Sequence, residues 1–232
     1  MSNPYFRFKQ FTVYHDLCAM KVGVDGVLLG AWADCRHAEY ILDIGTGTGL
    51  IALMLAQRSV AFIHAIDIDE NACKQAEINF TNSPFHNRLS VRLTAFQDFT
   101  SSRRYDLIVS NPPYFAHSLQ SPDKKRNLAR HNDSLPWEDL IKKTASLLSP
   151  SGKAAFILPF DRMEKAQASA VDNQLFLCRK TLVSSLQNHP PKRVLLEYSL
   201  IDQGTMEDHF YIGKTKQTYS DEYRSLTEDF YL

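Results

Sequence analysis

No stretch of this chain comes near the ~20 consecutive apolar residues of a membrane-spanning helix, and its first residues, Met-Ser-Asn-Pro-Tyr-Phe-Arg-Phe-Lys, lack the apolar core of a secretory signal. The expectation is a soluble, cytoplasmic protein. Neither sign of charge is in excess. The 26 lysines and arginines balance 26 aspartates and glutamates, so no overall basicity advertises a polyanionic partner, and any nucleic-acid site has to be a local patch. Cysteine is sparse: Cys18, Cys35, Cys73 and Cys178 lie far apart with no Cys-x-x-Cys pair, which argues against a zinc framework or redox pair and for reduced thiols. The eight histidines show no ligand spacing either, so no metal is expected. Internal repeats and low-complexity segments are also missing.

What is present is enough chain, 232 residues, to bury a full core in one α/β domain. From Tyr40 onward short apolar runs alternate with helix-period segments, the pattern of βαβ units and a mainly parallel sheet. Strands are expected at Tyr40–Ile44, Ala61–Asp67, Leu89–Thr94, Tyr105–Ser110 and Lys153–Leu158. Helices are expected at Leu50–Gln57, Glu70–Asn79 and Trp137–Leu148, the last with Ser134 as N-cap and Ser-Pro-Ser-Gly at 149–152 as its stop. Further on, Arg193–Leu200 and Asp208–Gly213 flank a short polar stretch with Gly204 and read as an antiparallel hairpin. Tyr219–Leu232 reads as a short amphipathic helix, with Tyr223, Leu226 and Phe230 facing the core. The long aperiodic region is Phe115–Asp133, and long loops of this kind are usually functional.

The first strand runs into Gly45-Thr-Gly47-Thr-Gly49, a glycine-rich turn ahead of a helix and the usual seat of a nucleotide-like cofactor. The dinucleotide fingerprint fails, because its third glycine would fall on Leu50. Asp43 instead ends the strand, where a carboxylate repels pyrophosphate but suits the ammonium end of a sulfonium cofactor, while Gly45 and Gly47 let backbone N–H groups approach the cofactor's carboxylate. Asp67 follows 24 positions later, near the ~20-residue spacing at which an acid accepts from ribose hydroxyls. Asp98 is placed to accept from the adenine amino group, with Phe99 or Ile68 against the ring; alternatively it is a turn residue, and Asp69 a helix cap.

Asn111-Pro112-Pro113-Tyr114 ends the fourth strand candidate. An exocyclic adenine amine is a poor nucleophile because its lone pair is delocalised into the ring. The Asn111 side-chain carbonyl and the Pro112 backbone carbonyl can accept from the two N6 hydrogens and favour the localised form, an effect aimed at the transition state. The prolines stiffen the turn. Tyr114 offers a ring for an unstacked base, worth roughly 1–3 kcal/mol. In isolation Asn-Pro-Pro marks only a tight turn; with the glycine turn upstream it points to S-adenosylmethionine-dependent methylation of a planar amino group.

The same residues, with Phe11–Ala33, Ala129-Arg130-His131, Arg193-Val-Leu-Leu and the end from Tyr219 to Leu232, resemble the bacterial enzymes that methylate N6 of the adenosine next to the anticodon in a valine tRNA. The likeness covers nearly the whole chain, and its first and last segments discriminate best. It implies a seven-stranded class I methyltransferase sheet, Rossmann-like, in the order 3-2-1-4-5-7-6, S-adenosylmethionine as donor and tRNA, through its anticodon arm, as substrate. It also implies that an N-terminal extension, residues 1–39, closes over the cofactor through Met20–Gly26 ahead of a methyltransferase domain over 40–232. Lys21 and Asp25 become cofactor-side candidates, and Val24 stands where the family carries threonine, so a hydroxyl contact there is lost.

Lys124, Lys125, Arg126, Arg130 and His131 lie in the loop after the Asn-Pro-Pro-Tyr turn, where phosphates flanking an extruded base would be met; ordinary solvated lysines are the alternative. Phe115 is a second stacking surface, and Arg7, Lys9, Lys192 and Arg193 would extend the patch. A monomer is expected. Two other readings stay open: an N5-glutamine methyltransferase of a protein substrate, although only about forty residues precede the first strand, and a non-catalytic S-adenosylmethionine-binding RNA scaffold. A free-standing DNA adenine methyltransferase fits less well, for want of a target-recognition domain.

Overall fold

The computed structural model describes residues 3–18, 21–112, 135–215 and 217–232. In chain order the strands are β1 (Tyr5–Arg7), β2 (Thr12–Tyr14), β3 (Tyr40–Ile44), β4 (Phe62–Asp67), β5 (Leu89–Leu93), β6 (Tyr105–Ser110), β7 (Leu148–Pro159), β8 (Phe176–Leu186), β9 (Pro191–Ser199) and β10 (Met206–Gly213). The helices are α1 (Val24–Trp32), α2 (Leu50–Arg58), α3 (Glu70–Thr81), α4 (Trp137–Leu147), α5 (Met163–Asp172) and α6 (Asp221–Thr227). β1 and β2 form a small hairpin, and the other eight strands make one sheet in the order β10-β8-β9-β7-β6-β3-β4-β5. Counted from β3, this is 3-2-1-4-5-7-6 with an eighth strand beyond the sixth.

The sheet corrects one expectation. Arg193–Leu200 and Asp208–Gly213 do not pair: β8 lies between them, antiparallel to β9 and parallel to β10. The hairpin is β8–β9. Strand β8 was hidden because its polar run Cys-Arg-Lys-Thr breaks the apolar alternation. Arg179 nonetheless sits over the Trp32 ring, its guanidinium carbon 4.2 Å from the centroid, and Lys180 pairs with Glu207 at 2.7 Å, so both charges are accommodated beside the strand.

Two apolar layers sandwich the sheet. One joins Phe8, Phe11, Val13 and most of α1 and α2 to Ala76 and Phe80 of α3 and to Tyr223 and Phe230 at the carboxyl end. The residues before Tyr40 thus share the main core. Gly30 permits the crossing of α1 on α2, because a Cβ there would meet Met54 Sδ at 2.8 Å. Arg58 closes the end of α1 by donating to the carbonyls of Gly30 and Ala33 at 2.9 and 2.7 Å. The opposite layer packs Leu140, Ile141 and Leu147 of α4 and Ala166 and Ala170 of α5 against Leu42, Ile108, Phe156 and Leu196. Pro136 occupies the N-cap of α4, while Ser134 lies outside the described residues.

Candidate active site

β3 is parallel to β4 on one side and to β6 on the other, so the strand order reverses between β3 and β6. Crevices at such a reversal, outside the carboxyl ends of the strands, are where α/β sheets bind ligands.

The chain leaves β3 through three glycines with φ of +71°, +56° and +81° at Gly45, Gly47 and Gly49. The turn is hooked to β4 by the N–H groups of Gly45 and Thr46, which donate to the Ile66 carbonyl at 2.9 and 3.1 Å. A Cβ at Gly45 or Gly47 would meet nothing within 4 Å, so that side of the turn opens on the crevice. Gly49, the N-cap of α2, faces inward: a Cβ there would lie 2.5 Å from the Phe80 ring.

Asp43 is wholly buried beneath this turn. Its Oδ2 accepts from the Thr46 hydroxyl at 2.7 Å, and its Oδ1 has no partner among the described residues. Burial pushes the carboxyl up to about 7, helped by the nearby Asp67 and opposed by the Thr46 hydroxyl and the Ala52 backbone. A buried, half-satisfied acid beneath the turn acts electrostatically and suits a cationic ligand. Thr46 was not singled out from the sequence; its place between two glycines was the available signal.

Asp67 ends β4, where its Oδ2 accepts from Gly47 N at 2.8 Å and its Oδ1 from Asp69 N at 3.0 Å. It therefore sets the shape of the glycine turn, a role the spacing alone did not reveal, and its remaining lone pairs are those available to ribose hydroxyls. Asp69 caps α3 as anticipated, accepting from Asn71 N at 2.8 Å. Asp98 is exposed on a turn closed by its own N–H to the Ala95 carbonyl at 3.1 Å. Phe99 corrects an expectation: it is buried against Tyr105, ring centroids 6.5 Å apart, and presents no face to a ligand. Ile68 is exposed.

β6 delivers Asn111 and Pro112, both half-buried, to the same edge. The Ser110 hydroxyl, buried, donates to the Ile44 carbonyl at 2.8 Å and locks the ends of β6 and β3 side by side. This strut went unnoticed in the sequence, hidden beside the louder motif. Pro113, Tyr114, Phe115 and the basic residues Lys124, Lys125, Arg126, Arg130 and His131 lie outside the described residues.

Lys21 is exposed at the approach to α1. Asp25, in its first turn, accepts from Arg193 Nε at 2.8 Å. That pair ties α1 to β9 and gives Arg193 a structural partner. The Lys9 ammonium likewise donates to the Glu228 carbonyl. Arg7 and Lys192 remain exposed. Among the described residues no three His, Cys, Asp or Glu side chains gather to hold a metal, and no helix is long and apolar enough to cross a membrane.

The fold is shared with solved methyltransferases. A predicted O-methyltransferase, protein Atu636, from Agrobacterium tumefaciens superposes with a TM-score of 0.71 over 89% of this chain and 96% of that one, at 15% identity. The CcbJ methyltransferase from Streptomyces caelestis gives 0.60 over 80% and 95%, at 12% identity. With its strand order and glycine turn, the chain is a class I methyltransferase in architecture. Residues 26–164 match the family described as Methyltransferase small domain. Over its full length the chain is 50% identical to the tRNA1(Val) (adenine(37)-N6)-methyltransferase of Parabacteroides distasonis, covering 99% of it. It is 48% identical to the protein of the same name in Bacteroides fragilis, again covering 99%. The chain belongs to the methyltransferase small-domain family and, within it, to the group these bacterial relatives form.

Proposed function

We propose that the protein transfers a methyl group from S-adenosylmethionine to the exocyclic N6 of an adenosine in tRNA, at position 37 beside the anticodon of a valine tRNA, acting as a cytoplasmic monomer. The observation that carries this is the full-length identity near 50% with relatives of that name. The meeting of Asp43, the glycine turn and Asn111 at one sheet edge agrees with it.

S-adenosylmethionine, when bound, supplies an electrophilic methyl group. The residues present suit it: the unpartnered Asp43 Oδ1 answers its cationic end, the open side of Gly45 and Gly47 its carboxylate, and Asp67 its ribose hydroxyls. Asp98, Lys21 and Asp25 stand at the margins of this reading, Asp25 engaged by Arg193. Asn111 and the Pro112 carbonyl accept from the N6 hydrogens and turn the nitrogen lone pair toward the methyl group, and the proton displaced on methylation leaves to solvent. Tyr114 stacks on the extruded base, and the basic run at 124–126 with Arg130 and His131 meets flanking phosphates.

Kinetics of Asn111→Ala on an unmodified tRNA transcript test the proposal. Transfer should fall by about 10²-fold or more while S-adenosylmethionine affinity stays within a few-fold. Transfer that survives the substitution would remove Asn111 from the chemistry. Transfer to a protein glutamine in place of tRNA would move the substrate to protein amides.

A further inference from the structure

Helix α3 carries two amides in the middle of its buried stripe. Gln75 is 1% and Asn79 0% exposed, among Ala72, Cys73, Ala76 and Phe80. Buried amides are costly unless bonded, and these are bonded to the backbone of the N-terminal segment and, for Asn79, of the glycine turn as well. Asn79 Oδ1 accepts from Tyr14 N at 2.9 Å, and its Nδ2 donates to the Tyr14 carbonyl at 2.9 Å and to the Thr48 carbonyl at 2.8 Å. One side chain thus grips both backbone groups of an N-terminal residue and the glycine turn at once. One helical turn earlier, Gln75 Oε1 accepts from Leu17 N at 2.9 Å.

The segment so held is linked through Asn79 to Thr48 of the glycine turn. The Cys18 thiol is pushed up to about 11 by burial and by the negative charges of Asp67, Asp69 and Asp16. Asp67, which holds Gly47, accepts at its own carbonyl from Cys73 Sγ at 3.6 Å, two residues before the Gln75 that binds Leu17. From the other side the segment is fixed by the β1–β2 hairpin, with His15 N donating to the Pro4 carbonyl at 2.9 Å.

We infer that Tyr14–Cys18 forms a wall of the cofactor site on its Asp67 side, and that Asn79 and Gln75 are positioning residues that set this wall and the glycine turn in register. The inference rests on the crevice being the S-adenosylmethionine site. Asn79 links the two backbone segments whose separation defines the slot, so its loss should weaken binding more than it slows the transfer of a bound methyl group.

Calorimetric binding of S-adenosylmethionine to Asn79→Ala and Gln75→Ala, with melting temperature and kcat alongside, tests it. Asn79→Ala should weaken binding about tenfold, with kcat at saturating cofactor within about twofold of the unsubstituted protein. A lower melting temperature with unchanged affinity in both variants would reduce the amides to structural residues and overturn the inference. A second arm needs no variant: alkylation of the native protein at pH 9, followed residue by residue. S-adenosylhomocysteine should slow modification of Cys18 and leave Cys178, by the Lys153–Glu197 pair, unaffected. Equal Cys18 rates with and without it would overturn the inference. If the native protein bound neither nucleoside, the cofactor reading itself would fall and the inference with it; binding indifferent to both arms would sink the inference alone.

Discussion

If Asp43 answers the cationic end of the cofactor, cofactor affinity depends on pH. The native carboxyl titrates near 7 because it is buried, whereas in the unfolded chain it is an ordinary aspartate near 3.8. The native state therefore binds the proton more tightly. The group's contribution to stability is fully present below about pH 4 and is lost as pH rises through about 7, a change of roughly 4 kcal/mol for the cofactor-free protein. A cationic ligand reverses the preference, since it favours the carboxylate and drives the proton off. If only the ionised form binds, the competent fraction rises from ~0.1 at pH 6 to ~0.75 at pH 7.5, and affinity rises about eightfold. An amino-acid ammonium, near 7.7–8.0, stays mostly protonated across this window and contributes little of the slope. Calorimetry in buffers of different ionisation enthalpy would show both the affinity change and the proton released. Asp43→Asn should bind more weakly at pH 7.5 and with no such slope. A flat profile in the native protein, or the same slope in Asp43→Asn, would refute the reasoning.

The glycine turn separates binding from folding. Gly49→Ala forces a methyl group into the Phe80 ring at a left-handed position and should cost about 1–3 kcal/mol in urea unfolding, whereas Gly45→Ala, facing open space, should lose affinity for S-adenosylmethionine by a larger factor than its backbone strain alone explains. Lys153→Met leaves the Glu197 carboxylate, 2% exposed, without the ammonium 2.8 Å from its Oε1, and should lower stability by up to about 3 kcal/mol; a change below about 0.5 kcal/mol would show the pair to be dispensable. Replacing Lys124, Lys125 or Arg126 with alanine should weaken tRNA binding and reduce the slope of log affinity against log salt by about 0.7–0.9 per residue, with cofactor affinity unchanged.

The sequence displayed the crevice better than its walls. β3 and β6 fall on the residues their apolar runs indicate, because both are buried on two faces between flanking strands and read as continuous apolar segments. β8 is charged where it passes Trp32 and Glu207, and the pairing of β9 and β10 depends on where β8 inserts, which local pattern does not encode. The spacing of Asp43 and Asp67 located the site, but the hydrogen bond from Gly47 to Asp67 is tertiary and left no sequence mark. Phe99 looked free to stack because nothing local shows that the turn after β5 folds it inward beside Phe96 and Tyr105. No local pattern marks Asn79 and Gln75, and only the docking of Tyr14 and Leu17 reveals them as buried.

Methylation of an adenine amino group in tRNA can be followed by incubating the purified protein with labelled S-adenosylmethionine and unmodified tRNA, then analysing the digested nucleosides and position-resolved fragments by mass spectrometry. N6-methyladenosine should appear at position 37 of a valine tRNA, formed by the native protein and not by Asn111→Ala. Intact cofactor binding with no methyl group transferred to any tRNA would contradict it.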